Sequence, residues 1–180
     1  MNNYRAKYSE MKKLVILFFM TSWMVLCGIV VTAQVIAGTY AIKNVKTGML
    51  LRIKDANKAN GTPLVSYSPV SWKCMTWDFV HKEGNVYQLR NLFSGKTFQP
   101  VQAAAESVAM EEQPLLAGEA RQEYEFIPAE KNSYFIRLKG TELYLSPVDD
   151  KGSTNSAIVL AKRSDSKLLQ WVIYEQHPDF

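Results

Sequence analysis

From residue 38 onward, apolar and polar side chains alternate in short runs. Tyr40 and Ile42 alternate with Ala41 and Lys43, Trp77 and Phe79 flank Asp78, and Tyr124 and Phe126 flank Glu125. A period of two over four to eight residues is the signature of a half-buried strand. Turn-forming residues separate the runs: Thr47-Gly48, Asn60-Gly61, Ser68-Pro69, Gly84-Asn85, Ser94-Gly95, Lys139-Gly140 and Lys151-Gly152. The spacing predicts strands near 39–44, 49–54, 63–67 and 76–81. No run has the length or the 3.6-residue period of an ordinary helix.

The pattern then recurs. Tyr40, Tyr87 and Tyr134 each open a stretch and lie 47 residues apart. Trp77, Tyr124 and Trp171 close the stretches at the same interval, and Leu51, Phe98 and Leu145 fall between them on the same period. Three landmarks sharing one interval mark a repeat whose single unit cannot bury its own apolar face. The units run over about 38–84, 85–131 and 132–178. Carrying the strands forward predicts 86–91, 96–101, 110–114 and 123–128 in the second unit, and 133–138, 143–148, 157–161 and 170–175 in the third. The second unit fits least well. Its third strand is expected to start earlier, near Val108-Ala109-Met110, and Ala103-Ala104-Ala105-Glu106 suggests a helical turn.

Ahead of the repeats stands a different stretch. Met11-Lys12-Lys13 precedes Leu14 to Ala33, a run without charge that ends in Val31-Thr32-Ala33. A basic start, an apolar run and a small-residue exit read as an export signal over residues 1–33, with a secreted, periplasmic or cell-surface destination. Two other readings stay open. The run is long enough to span a bilayer as an uncleaved anchor. Cys27 offers a lipidation site, although Leu26 precedes it where a small residue is preferred. Only in those two readings is a membrane a partner.

Composition adds one correction. The net charge is +4. Residues 1–33 hold four of the 21 basic residues and one of the 17 acidic ones, so the remainder carries 17 against 16. No basic stripe remains there, and nucleic acid is not an expected partner. Cys74 stands alone outside the leader, which rules out an internal disulfide in the repeats.

These residues resemble the ricin-type β-trefoil lectins. The resemblance rests on Gly38-Thr39-Tyr40-Ala41-Ile42-Lys43-Asn44, on Thr47-Gly48 leading to Leu51, on Asn60-Gly61-Thr62-Pro63-Leu64, and on a closing strand that holds a tryptophan. That family closes its repeats with Gln-x-Trp. Here the closings are Met75-Thr76-Trp77, Gln122-Glu123-Tyr124 and Leu169-Gln170-Trp171. The resemblance covers residues 38–175. It implies an all-β β-trefoil of three repeats of about four strands, a barrel of six strands capped by three hairpins.

It also implies a place for sugar. Each competent repeat of the family supplies an aspartate just after the second strand begins and an aromatic ring on the third strand. The aspartate positions are held here by Arg52, Gln99 and Ser146, so the expected carboxylate is missing three times. The aromatic position survives in the first repeat as Tyr67, with Trp72 in the next loop and Asp55 and Asn57 in the preceding one. The candidate carbohydrate site is therefore Arg52, Asp55, Asn57, Tyr67 and Trp72. The plainer alternative is that Tyr67 packs on the barrel rim and Trp72 covers a hairpin.

Other chemistry finds little footing. Cys74 and His81 lie seven residues apart across one predicted strand, so a shared face is not implied, and no orienting group matches them. There is no metal-ligand spacing, no glycine-rich phosphate loop and no nucleophile elbow, so no cofactor is expected. The expected function is a non-catalytic lectin-like domain that binds a carbohydrate or glycoconjugate. The alternative is a protein-interaction module whose sugar sites have degenerated.

Overall fold

The computed structural model describes residues 35–179. The chain divides into two units, Met1–Ala33 and Gln34–Phe180. The leader expected over 1–33, with Cys27, lies outside the described residues.

Twelve strands follow in order: β1 Thr39–Asn44, β2 Leu50–Ile53, β3 Leu64–Tyr67, β4 Thr76–Glu83, β5 Val86–Asn91, β6 Thr97–Pro100, β7 Met110–Gln113, β8 Tyr124–Pro128, β9 Ser133–Leu138, β10 Leu143–Pro147, β11 Ile158–Lys162 and β12 Gln170–Glu175. Four fall in each 47-residue unit. Strands β1, β4, β5, β8, β9 and β12 pair in that order, all antiparallel, and β12 returns to β1. This closes a six-stranded barrel, which leaves it no exposed edge. The other strands form the hairpins β2–β3, β6–β7 and β10–β11. Single bridges, Pro63 to Glu111, Val65 to Ala157 and Ala109 to Val159, join the three hairpins to one another.

Alternation explains the core. On β4 the inward Trp77 and Phe79 are buried while Asp78 and Val80 are only half-buried, and Tyr124 and Phe126 repeat this on β8. Trp77, Tyr124 and Trp171 all belong to one buried cluster with Ile42, Phe98, Ile136 and their neighbours. Rings meet edge to face, as Trp77 and Phe98 do at 5.2 Å and 82°, the geometry their quadrupoles favour.

Each closing ring is fixed by a hydrogen bond to the same place in its repeat. Trp77 Nε1–H donates to the Leu51 carbonyl at 3.3 Å, Trp171 Nε1–H to Leu145 at 3.0 Å, and the Tyr124 hydroxyl to Phe98 at 2.8 Å. The landmarks that share the sequence period are thus bonded to one another. Repeats are also tied in sequence order. Asn91 Nδ2 donates to the Cys74 carbonyl at 3.2 Å, and its Oδ1 accepts from the Phe93 and Ser94 amides. Asn44 does the same across the seam between last and first repeat, donating to Leu168 at 2.8 Å and accepting from the Lys46 and Thr47 amides. Leu138 holds the third position. Another side-chain bond across the seam runs from the Thr39 hydroxyl to the Gln176 carbonyl at 2.8 Å.

Three short 3-10 turns, Lys73–Met75, Ala120–Gln122 and Lys167–Leu169, precede the closing strands, again 47 residues apart. Each holds a buried side chain at the same position: Met75, Gln122 or Leu169. Gln122 is the polar member. Its amide donates to Gln99 Oε1 at 3.0 Å and to the Pro114 carbonyl at 2.9 Å, and accepts from the Leu116 amide at 2.9 Å.

Two expectations for the second repeat are corrected. Strand β7 begins at Met110, where the period places it, and Ala109 makes only an isolated bridge. Residues 103–105 are a bend and irregular backbone and 106 begins a turn, so there is no helical turn, since a lone Val108-to-Ala105 bond of 3.3 Å cannot propagate.

Candidate functional site

The β2–β3 hairpin positions the first-repeat residues. Its register sets Leu50 opposite Tyr67 and Arg52 opposite Val65. Side chains alternate across a strand, so Leu50, Arg52, Val65 and Tyr67 share the face turned away from the barrel centre, and Arg52 and Tyr67 are diagonal neighbours. Leu51, Ile53 and Leu64, on the other face, enter the central core. The outer face has a small core of its own: Ala41, Leu50, Cys74 and Met75, with Tyr67, Val70, Trp72 and Phe93 packed on it. Cys74 is a free, buried thiol in this layer.

Arg52 is the centre of the cluster. Its guanidinium carbon lies 4.0 Å from the centroid of the Tyr67 ring and 5.8 Å from that of Trp72. The two rings are 6.1 Å apart, tilted by 35°. Arg52 is only 7% exposed, while Tyr67 and Trp72 are half-buried. Its Nε is buried without a hydrogen-bond partner. A guanidinium over two aromatic faces gains about 1–2 kcal/mol, against a larger cost of withdrawing a permanent charge from water.

Three other cations on the barrel are paired with carboxylates. Arg90 meets Asp78 and Arg137 meets Glu125, each at 2.6 Å. Lys139 sits between Glu123 at 2.7 Å and Glu83 at 2.8 Å. The Glu123 contact pushes the Lys139 pKa well up, and the hydrogen bond from Lys139 lowers that of Glu83.

The loop that carries Trp72 is braced. Thr76 donates to the Trp72 carbonyl at 2.9 Å, and Gln176 Nε2 donates to Thr76 Oγ1 at 2.9 Å. A shallow cleft of about 350 Å³ lies between Pro69, Val70 and Ser71 and the segment 174–177.

Asp55 and Asn57 stand apart. Both are exposed, and neither bonds to Arg52, Tyr67 or Trp72. Asn57 Oδ1 instead accepts from the Ala59 amide at 3.0 Å. Asp55 and Ala56 both adopt left-handed backbone, with φ of 53° and 49°. The end of this loop is held by the second repeat: Lys96 Nζ donates to Asn60 Oδ1 at 2.7 Å and to the Lys58 carbonyl.

The positions equivalent to Arg52 are engaged elsewhere. Gln99 accepts from Gln122, and the Ser146 hydroxyl donates to the Pro147 carbonyl at 3.0 Å. In the third repeat, the exposed Arg163 guanidinium lies 3.5 Å from the Phe135 ring centroid. Cys74 and His81 do not meet. His81 Nε2–H donates to the Gly84 carbonyl at 3.0 Å.

From sequence alone, Glu112 reads with Glu111 as part of a polar stretch in an inert second repeat. It is fully buried on β7, and neither carboxylate oxygen has a hydrogen-bond partner. Burial pushes its pKa up, and nearby Ser94, Lys96 and Lys58 pull the other way. The signal was available, because Val65 and Val159 hold the equivalent positions in the other repeats.

A six-stranded barrel with three hairpins around a pseudo-threefold axis defines a β-trefoil. This one resembles the ricin-type β-trefoil lectins: residues 22–99 match the family model described as ricin-type beta-trefoil lectin domain-like. Similar solved structures include ThreeFoil, a designed threefold-symmetric protein, at 16% identity and a TM-score of 0.73, covering 77% of this chain and 99% of that one. The Rhizoctonia solani agglutinin is 19% identical with a TM-score of 0.71, covering 80% and 99%. The Macrolepiota procera ricin B-like lectin, solved with lactose, is 20% identical with a TM-score of 0.68, covering 79% and 99%. A comparison with curated proteins found no match. At these identities the likeness is one of fold.

Proposed function

We propose that the domain is a non-catalytic carbohydrate-binding module that works through its first repeat. The observation that carries this reading is the grouping of Arg52, Tyr67 and Trp72 on one hairpin face, with the rings 6.1 Å apart and half-exposed. Flat rings accept the apolar face of a sugar, and the guanidinium donates to its oxygens. The fold agrees, since lectins with sugars bound are among its structural likenesses. Export through the segment 1–33 is part of the same reading and would bring the domain to extracellular glycans.

A single aromatic platform implies millimolar affinity, about −4 kcal/mol. Titration with monosaccharides, followed by NMR signals of Tyr67 and Trp72, tests the reading. Those signals shift first if it holds. Signals unmoved at saturating sugar overturn it.

One observation favours a second reading. Arg52 covers one face of Tyr67, and the other two aspartate positions are engaged internally. A protein-interaction module would account for this. Its mark is a stable protein partner whose binding sugars do not disturb.

A further inference from the structure

Resting on the reading of the first repeat as a sugar site, we infer that its ligand is an acidic sugar, a saccharide carrying a carboxylate or sulfate that pairs with Arg52. The family's aspartate would accept hydrogen bonds from sugar hydroxyls. Arg52, in its place, only donates. The change inverts the polarity of the site.

The surroundings point the same way. Arg52 is 7% exposed, and its Nε has no partner. Among the described residues no carboxylate pairs with it, whereas Arg90, Arg137 and Lys139 each have one. Asp55, three residues along, is exposed and makes no ion pair with Arg52. A buried cation without a counter-ion is costly, and the two rings offset only part of that. A carboxylate or sulfate supplies the missing charge and accepts two parallel N–H bonds from the planar fork. The sugar ring then lies against Trp72 or the edge of Tyr67. Each member of the cluster thereby has its own part in recognition, with the rings reading the saccharide and Arg52 selecting its acid group.

The test compares matched pairs on the full-length chain by calorimetry and NMR: glucuronic acid with glucose, and galactose 6-sulfate with galactose. The acidic member is expected to bind about tenfold or more tightly, and the advantage should shrink at about 0.5 M salt. Arg52→Met should weaken the acidic member more than the neutral one and so abolish the advantage, while Arg52→Lys should retain part of it. Equal affinity for acidic and neutral members overturns the inference and leaves the sugar site standing. No response to any sugar removes both. Inorganic sulfate binding as tightly as the sulfated sugar also overturns it, because the site would then be one for a bare anion. Should Arg52→Met fail to fold, the matched pairs and their salt dependence on the unaltered chain still decide.

Discussion

The Tyr124 hydroxyl donates to the Phe98 carbonyl at 2.8 Å, and the two rings lie 4.6 Å apart. This pair does in the second repeat what a tryptophan indole does in the first and third. Tyr124→Phe keeps the ring but leaves a buried carbonyl unpaired, at a cost of about 1–3 kcal/mol. Denaturant unfolding of the variant measures it. Unchanged stability would mean that the ring alone closes the repeat.

The same phenol gives an alkaline limit. Burial raises the Tyr124 pKa well above its ordinary 10. The unfolded chain therefore releases this proton first. The stability it contributes is complete below about pH 10 and is lost as pH rises beyond that. Unfolding curves of the parent and Tyr124→Phe should converge above pH 10.

Asn44 joins the last repeat to the first through its 2.8 Å bond to Leu168, and Asn91 joins the first to the second. Removing either orphans several buried groups. Asn44→Ala and Asn91→Ala should each cost about 2 kcal/mol. Hydrogen exchange distinguishes them. Asn44→Ala should expose β1 and β12 amides, and Asn91→Ala those of β4 and β5.

Glu112 offers a gain. Its buried carboxylate has no hydrogen-bond partner and stands where the other repeats have valine. Glu112→Val should stabilise the fold near neutral pH by about 1–3 kcal/mol. The sign of the pH dependence follows from the raised pKa. In the parent chain the neutral carboxyl is favoured by folding, a contribution present in acid and lost as pH rises through the folded value. The variant's advantage should therefore shrink in acid. An advantage that grows in acid would contradict the assignment.

Gln122 carries three bonds where Met75 and Leu169 carry none. Gln122→Leu should lower stability by about 1–3 kcal/mol, because it leaves the Leu116 amide and the Pro114 carbonyl without partners. Thermal unfolding reads the loss. A neutral result would show that water replaces the amide.

Much of the fold was legible in one dimension. The strands at 86–91, 133–138 and 170–175 fall where a period of 47 places them, because alternation and turn residues are local signals. The 3-10 turns were not legible. Three residues are too few to show a period, and Met75, Gln122 and Leu169 share burial rather than chemistry. At the site, Arg52, Tyr67 and Trp72 could be grouped from their place in the repeat, but the stacking depends on the hairpin register. Asp55 and Asn57 are near in sequence only. Two consecutive left-handed residues, Asp55 and Ala56, redirect that loop, and nothing in their spacing announces it.

The pairing of β12 with β1 has a topological result. Thr39 and Gln176, at opposite ends of the trefoil, touch. A short peptide could splice them, and the chain could be opened instead at the Gly84-Asn85 turn, whose glycine has open space around it. The order in which the three units are written is then interchangeable, and a circular permutant should build the same barrel.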